Sequence, residues 1–450
     1  MLKFDFTNLF SDAIVNGISI NDIKKYDEII KNITKKIDDN KPGFLEIIFS
    51  RKWIDSVLDL KDFIFDFDNL VVLGIGGSAL GNIALQNTLR PFNWNYLSKD
   101  ERDGKLRIFV IDNVDPDFVA SILDTIDVHK TLFNVISKSG TTAEAMSNYL
   151  IARGILENYG LNPKKHLIFT TDPEKGVLRK IANEDGIKTL EIPQNVGGRF
   201  SVLTPVGLLS AYAAGINIES LYDGAKNAYS KLSNPLMKNP AALIALTHYL
   251  YYNKGRNIAV MMAYSNKLYY LADWYRQLWA ESLGKKFDKS GNEIKVGQTP
   301  VKALGAVDQH SQVQLYNEGP DDKIITFLKV EKFERDIKIP SVHNNEEALS
   351  YLQGNKLSAL LNNELKGTEN AILEHGKPSM KITFPQINEL HVGEFFMTYE
   401  LATTIAGELF NVNPFDQPGV ELGKKITYAL MGRKGFEEYK ITKNGERIEI

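Results

Sequence analysis

The chain contains no cysteine. That excludes disulfides, thiolate nucleophiles, iron–sulfur clusters and thiolate zinc sites together, and it fits a reducing compartment. Histidine is scarce, at seven residues in 450. No two of them stand at H-x-H or H-x-x-x-H spacing, so a histidine-based metal site is not expected. A charge excess of either sign is also missing. Fifty-three Lys and Arg face 56 Asp and Glu, for a net charge of −3. A near-neutral chain lacks the global field that holds nucleic acid or an anionic membrane, so any anion site must be built locally. The first 20 residues lack the basic start and apolar core of a secretory signal. One uncharged run, residues 200–218, contains Pro205, Gly207 and Gly215 among several hydroxyls. It reads as a loop followed by a buried helix rather than as a membrane span.

What is present is ordinary globular composition, 43% hydrophobic and 24% charged, at a length that suggests two large domains. Residues 1–60 read as helical, with apolar residues at helical spacing over 21–38. From residue 69 the pattern alternates. Strands are expected at 70–73, 105–112, 132–137, 166–171 and 188–192, with helices at 79–89 and 143–157. After a mostly helical stretch from about 197 to 250, strands follow at 257–263, 322–330 and 380–385. Helices are read at 266–283, 392–410 and 420–431. Short continuous apolar strands alternating with helices imply α/β architecture, with parallel sheets covered on both faces. Ligands of such sheets sit beyond the carboxyl ends of the strands, so the loops after the strands carry the search.

Two of those loops could hold a phosphate. Gly74-Ile75-Gly76-Gly77-Ser78-Ala79-Leu80-Gly81 follows a strand and opens a helix, so its glycines allow close backbone approach to a ligand. It also fits a G-x-G-x-x-A dinucleotide fingerprint, but the acidic residue that should follow, Asp112, lies too far along. The second loop, Ser137-Lys138-Ser139-Gly140-Thr141-Thr142, offers four hydroxyls at a helix start. Helix capping needs one hydroxyl, so four point to an anion. The Walker pattern is absent, which argues against a nucleoside triphosphate.

Groups suited to chemistry lie elsewhere. Arg199 follows two glycines and could stabilise an oxyanion. Glu281 lies late in an aromatic-rich helix; desolvation there would raise its proton affinity and suit a general base. His310 has Asp308 and Gln309 nearby as orienting partners. His391, before a helix, reads as a cap or partly buried residue. Lys424 stands in the first turn of a helix, against the dipole, which suggests an anionic neighbour.

Taken together, the segments LGIGGSALG (73–81), SKSGTTAE (137–144), NVGGRFSVLTPVG (195–207), AESLGK (280–285), VDQHS (307–311) and FDQPGVELGKK (415–425) resemble the glucose-6-phosphate isomerase family, in its compact bacterial form. They occur in that family's order and span most of the chain. The resemblance implies two flavodoxin-like, doubly wound sugar-isomerase domains, at 46–196 and 197–435. An N-terminal helical segment (1–45) and a C-terminal tail (436–450) would flank them. It implies a cytoplasmic homodimer that interconverts glucose 6-phosphate and fructose 6-phosphate in glycolysis and gluconeogenesis, without cofactor or metal and with no nucleic-acid or membrane partner.

In that reading Ser137, Ser139, Thr141 and Thr142 hold the phosphate with Lys138 nearby. Gly76, Gly77 and Ser78 line the sugar, and Gln417 helps close the site. Glu281 is the base, and His310, donated by the neighbouring subunit, opens the ring together with Lys424. Arg199 steadies the enediolate. Activity on mannose 6-phosphate as well is the nearest alternative. A nicotinamide-dependent oxidoreductase would leave the Ser/Thr loop and Glu281 unexplained, and a non-catalytic sugar-phosphate sensor would call for a basic DNA-reading element.

Overall fold

The structure is a computed structural model and describes residues 1–439 and 441, so most of the expected tail, 436–450, lies outside the described residues. The first sheet is formed by β2 (Asn69–Leu73), β3 (Arg107–Ile111), β4 (Thr131–Ile136), β5 (Leu167–Thr171) and β6 (Lys188–Glu191). Its order is β3-β2-β4-β5-β6 and every pairing is parallel. All residues of β2, β4 and β5 are buried, as strands covered on both faces must be. The two-residue side-chain period divides them between layers. Leu70 and Val72 enter one hydrophobic core and Val71 and Leu73 the other.

A second sheet repeats the plan. It contains β7 (Ile258–Ala263), β10 (Thr299–Leu304), β11 (Lys323–Lys332) and β12 (Ser379–Gln386), in the order β10-β7-β11-β12. These four are parallel, and β1 (Lys3–Asp5) adds antiparallel to β12. Two short strands, β8 (Lys285–Phe287) and β9 (Glu293–Val296), form a separate hairpin. The helical reading of residues 1–60 omits β1, since three residues are too few to show a period and β1 is held by its register on β12. β10 also escaped the pattern. Its Pro300 demotes a strand reading, yet β10 is an edge strand, where a missing N–H is tolerated. The uncharged run folds as expected into a buried helix, Pro205–Ala213. Among the described residues, no helix is long and apolar enough to cross a membrane.

The helix Glu389–Leu409 is buried along nearly its whole length, residues 391 to 407. His391 is buried there, with Nδ1 at 2.7 Å from the Gln386 carbonyl. Glu400 on the same helix is 1% exposed, and among the described residues neither of its carboxyl oxygens has a hydrogen-bond partner. Burial raises its pKa well above the ordinary 4.5. Burial therefore favours the neutral form of this group in the folded state, while the unfolded chain ionises once the pH passes 4.5. That linkage costs stability as the pH rises and costs nothing below about pH 4, where both states are protonated. Glu400→Met is expected to stabilise the protein by about 1–3 kcal/mol at pH 8, with the gain shrinking towards pH 4. Urea unfolding at the two pH values checks this, and an equal effect at both would contradict it.

Candidate functional site

The strand order of the first sheet reverses between β2 and β4. Chain direction there sends one connection towards β3 and the other towards β5, leaving a crevice at the carboxyl ends. The two candidate loops flank this crevice. The turn Gly76–Ser78 after β2 presses on the turn Gly198–Phe200. A Cβ on Gly77 would lie 2.2 Å from the Gly198 carbonyl carbon, so only glycine permits the contact. In this way the first motif and the arginine-bearing motif, far apart in sequence, become one wall.

The hydroxyl-rich turn after β4 also lines the crevice. The buried Ser137 Oγ accepts from the Gly140 N–H at 3.1 Å and lies 3.1 Å from Thr142 Oγ1. Ser139 Oγ accepts from the Thr141 N–H at 3.2 Å and from Thr141 Oγ1 at 3.1 Å. Gly140 has φ +64°, and a Cβ there would lie 2.5 Å from the Leu178 nitrogen, which fixes the turn against its neighbour. Thr142 stands at the N-cap of the helix Ala143–Asn158 but makes no side-chain cap bond. Capping therefore does not account for the hydroxyls, and the helix start faces an open space. Lys138 lines the crevice beside these hydroxyls. Its ammonium donates to the carbonyls of Gln194 (2.6 Å) and Val196 (3.2 Å), and burial lowers its pKa. In this structure it fastens the turn to the segment leading into Gly197 rather than standing free for an anion.

The helix Tyr269–Leu283 also lines the crevice, through Gln277 and Glu281. Its aromatic residues Trp274, Tyr275 and Trp279 are buried in the core, while Glu281 faces the crevice among polar partners. Glu281 Oε1 accepts from Gln277 Nε2 at 2.9 Å and Oε2 from Arg199 Nη1 at 3.3 Å. In place of the hydrophobic setting expected from its aromatic neighbours, the carboxylate has these two polar partners.

Arg199 is 4% exposed. Its Nε donates to Ser282 Oγ at 2.7 Å, Nη1 also to Gln417 Oε1 at 3.0 Å, and Nη2 to the carbonyls of Pro414 (2.5 Å) and Asp416 (3.0 Å). Burial lowers its pKa and the Glu281 carboxylate opposes that shift. A guanidinium has five N–H donors, and here all are engaged. Only the Nη1 bonds, to Glu281 and Gln417, involve side chains that line the crevice and could exchange for a ligand oxygen.

The crevice has a volume of about 800 Å³. Gly76, Gly77, Ser78, Ser137, Lys138, Ser139, Thr142, Arg199, Glu281, Gln417 and Lys424 all line it. Thr141 and His310 do not. Thr141 turns its carbonyl to Tyr428 Oη at 3.2 Å. His310 is exposed, on the turn Val307–His310 after β10. Lys424 has its anionic neighbour on its own helix, Glu421, at 2.8 Å, so its place near the helix start does not require a ligand.

Gln277 lines the crevice and escaped the sequence reading. Its signal was available: it precedes Glu281 by four residues, one turn back on the same helical face. Asp112, the dinucleotide candidate, is half-buried after β3 and outside the crevice, with a pKa raised by burial. A larger depression of about 1100 Å³ lies beside edge strand β3. There Lys99 pairs with Asp68 at 2.5 Å and Arg107 donates to the neutral Asn69 amide oxygen at 2.7 Å.

The family model described as phosphoglucose isomerase matches residues 28–442. Among curated proteins, a glucose-6-phosphate isomerase of Carboxydothermus hydrogenoformans is 44% identical over 97% of this chain and 96% of its own. One of Rubrobacter xylanophilus is 39% identical over 97% and 99%. Among solved structures, a hypothetical protein of Thermus thermophilus matches with TM-score 0.82 and 35% identity, over 96% of this chain and all of that one. A glucose-6-phosphate isomerase of Chlamydia trachomatis matches with TM-score 0.71 and 25% identity, over 84% and 73%.

Proposed function

The chain belongs to the phosphoglucose isomerase family, and from that premise we infer that it interconverts glucose 6-phosphate and fructose 6-phosphate by proton transfer through a cis-enediol. The observation that carries this reading is that one crevice of about 800 Å³ is lined both by the hydroxyl turn and by Glu281. A hexose carrying a terminal phosphate presents its ester and its reacting carbons at opposite ends.

At the phosphate end, Ser137, Ser139 and Thr142 supply hydroxyls, and the start of the helix Ala143–Asn158 supplies N–H groups and its dipole. At the other end, the Glu281 carboxylate takes the proton from C2 of the open-chain aldose and returns it to C1. Charge that develops on the C1 oxygen is met by Arg199, whose Nη1 exchanges the Glu281 or Gln417 bond for the substrate oxygen. Gln277 holds Glu281 Oε1 and orients the carboxylate. Ring opening precedes these steps, with Lys424 and His310 as the proton-transfer groups. A coupled assay that oxidises the glucose 6-phosphate formed from fructose 6-phosphate tests the reading. We expect turnover that requires the phosphate ester; conversion of free fructose to glucose at a similar kcat/KM, read by a separate glucose assay, would contradict it.

The working unit is a homodimer in which His310 completes the partner's site. Its exposure outside the crevice of its own chain supports this. The exposed apolar residues Val307, Leu315, Ile337, Val342 and Tyr351 are side chains that such an interface would cover. A two-fold dimer gives a numerical test. Mixing Glu281→Gln and His310→Ala chains, each inactive alone, leaves one intact site in every mixed dimer, so about a quarter of wild-type activity returns. No recovery after verified subunit exchange would reject the shared site. A dianionic ester does not cross a bilayer unaided, which supports a cytoplasmic setting. The two sheets support the sugar-isomerase units 46–196 and 197–435.

A further inference from the structure

The strap between the helices Glu389–Leu409 and Glu421–Leu430 is the part of the crevice wall whose placement the recognised motifs leave unexplained. It delivers Gln417 to Arg199. The helix beyond it carries Lys424 and has no buried residue. That helix meets the phosphate turn through Tyr428 Oη and the Thr141 carbonyl. Where Lys424 sits therefore depends on how the strap is held.

Two buried cations hold it. Arg199 takes the carbonyls of Pro414 and Asp416. The other is Lys285, whose side chain is 6% exposed. Its ammonium donates to Asp416 Oδ1 at 2.8 Å, to the Asp416 carbonyl, and to the Glu281 carbonyl at 3.0 Å. Three donors meet three acceptors. Burial pulls its pKa down, and the bond to Asp416 opposes that. Asp416 is fixed from its other side by Asn413 Nδ2 at 2.9 Å. Lys285 also lies just past the end of the helix bearing Glu281, where a cation complements free carbonyls and the negative pole of the dipole.

We infer that Lys285 is a positioning residue: its single buried ammonium ties the last turn of the helix bearing Glu281 to the strap bearing Gln417. It thereby sets the gap between the proton-transfer carboxylate and the Gln417–Lys424 wall. Lys285 does not line the crevice, so it acts through these neighbours and not on substrate. The inference rests on the proposed isomerisation. Removing the ammonium leaves the Asp416 carboxylate and two main-chain carbonyls without this donor, and the strap shifts outward. The hydroxyl turn keeps the bonds among its own residues, Ser137 to Gly140 and Thr142 and Ser139 to Thr141.

The test compares full-length Lys285→Met, which keeps an apolar stem, with Lys285→Arg and Asp416→Asn. For each, kcat and KM for fructose 6-phosphate, the inhibition constant of inorganic phosphate and the melting temperature are measured. Lys285→Met is expected to lose about 10²-fold in kcat, the cost of roughly an ångström of misplacement. Its phosphate inhibition constant should stay within about twofold of wild type. Lys285→Arg should recover about tenfold of the loss by restoring a cation. Asp416→Asn should lose less than Lys285→Met, because the Asp416 carbonyl still accepts. A Lys285→Met enzyme within about threefold of wild-type kcat overturns the inference. A parallel loss of phosphate affinity overturns it too, since that marks general loosening. Should Lys285→Met not fold, Asp416→Asn at a half-exposed carboxylate decides, and an unchanged kcat there overturns the inference. A wild-type enzyme without isomerase activity would instead refute the proposed reaction.

Discussion

Replacing Glu281 by Gln is expected to lower kcat for fructose 6-phosphate by about 10²–10⁴-fold, the range for removing a positioned general base. The substitution keeps the shape of the side chain. An amide oxygen at position 281 still accepts one bond, so the contacts with Gln277 and Arg199 (2.9 and 3.3 Å in the native protein) are partly preserved. What is lost is the ability to take a proton from carbon. Substrate should therefore still bind, because the hydroxyl turn around Ser137 and Ser139 shares no bond with Glu281. The KM, or the inhibition constant of inorganic phosphate, should change far less than kcat. If both moved together, Glu281 would be a binding residue and not the base.

Arg199→Lys should lower kcat by about 10²–10³-fold, the cost of losing a preorganised donor to developing negative charge. It should also lower the melting temperature. The guanidinium serves five acceptors at once, and an ammonium has three donors without the planar fork. The Pro414 and Asp416 carbonyls, held at 2.5 and 3.0 Å, would compete with Glu281 and Gln417 for what remains. Leaving a buried acceptor unpaired costs about 1–3 kcal/mol. The two effects have separate readouts. Thermal melting reports the strap carbonyls, and kcat at fixed phosphate affinity reports the charge at the sugar's reacting end. Wild-type kcat in a folded Arg199→Lys enzyme would remove Arg199 from the chemistry.

The two turns that line the crevice were legible because each is local. A strand, a few glycines or hydroxyls and a helix start lie within one short stretch, and the parallel-sheet pattern says which end of the strands to search. The same holds for β2, β4 and β5, whose continuous apolar runs announce burial on both faces. Features that depend on distant pairing were not legible. Arg199 meets Gln417 across 218 positions of sequence, and no period or motif says that its donors are all occupied. Lys138 is expected near the phosphate, but no local pattern says that its ammonium reaches the Gln194 carbonyl 56 residues on. Lys424 suggested a ligand anion, while Glu421 three residues earlier already answers it. Strand β1 and edge strand β10 carry too little pattern to announce themselves, and both are fixed by register on a neighbour.

The central claim is that one carboxylate in the crevice carries a single proton between adjacent carbons of the sugar. Isotope transfer measures that directly. With glucose 6-phosphate deuterated at C2, the wild-type enzyme should place part of the label at C1 of fructose 6-phosphate and release the rest to water. Glu281→Gln should abolish the transfer. Complete retention at C1, with no exchange at any point in the reaction, would indicate a hydride shift and contradict the account.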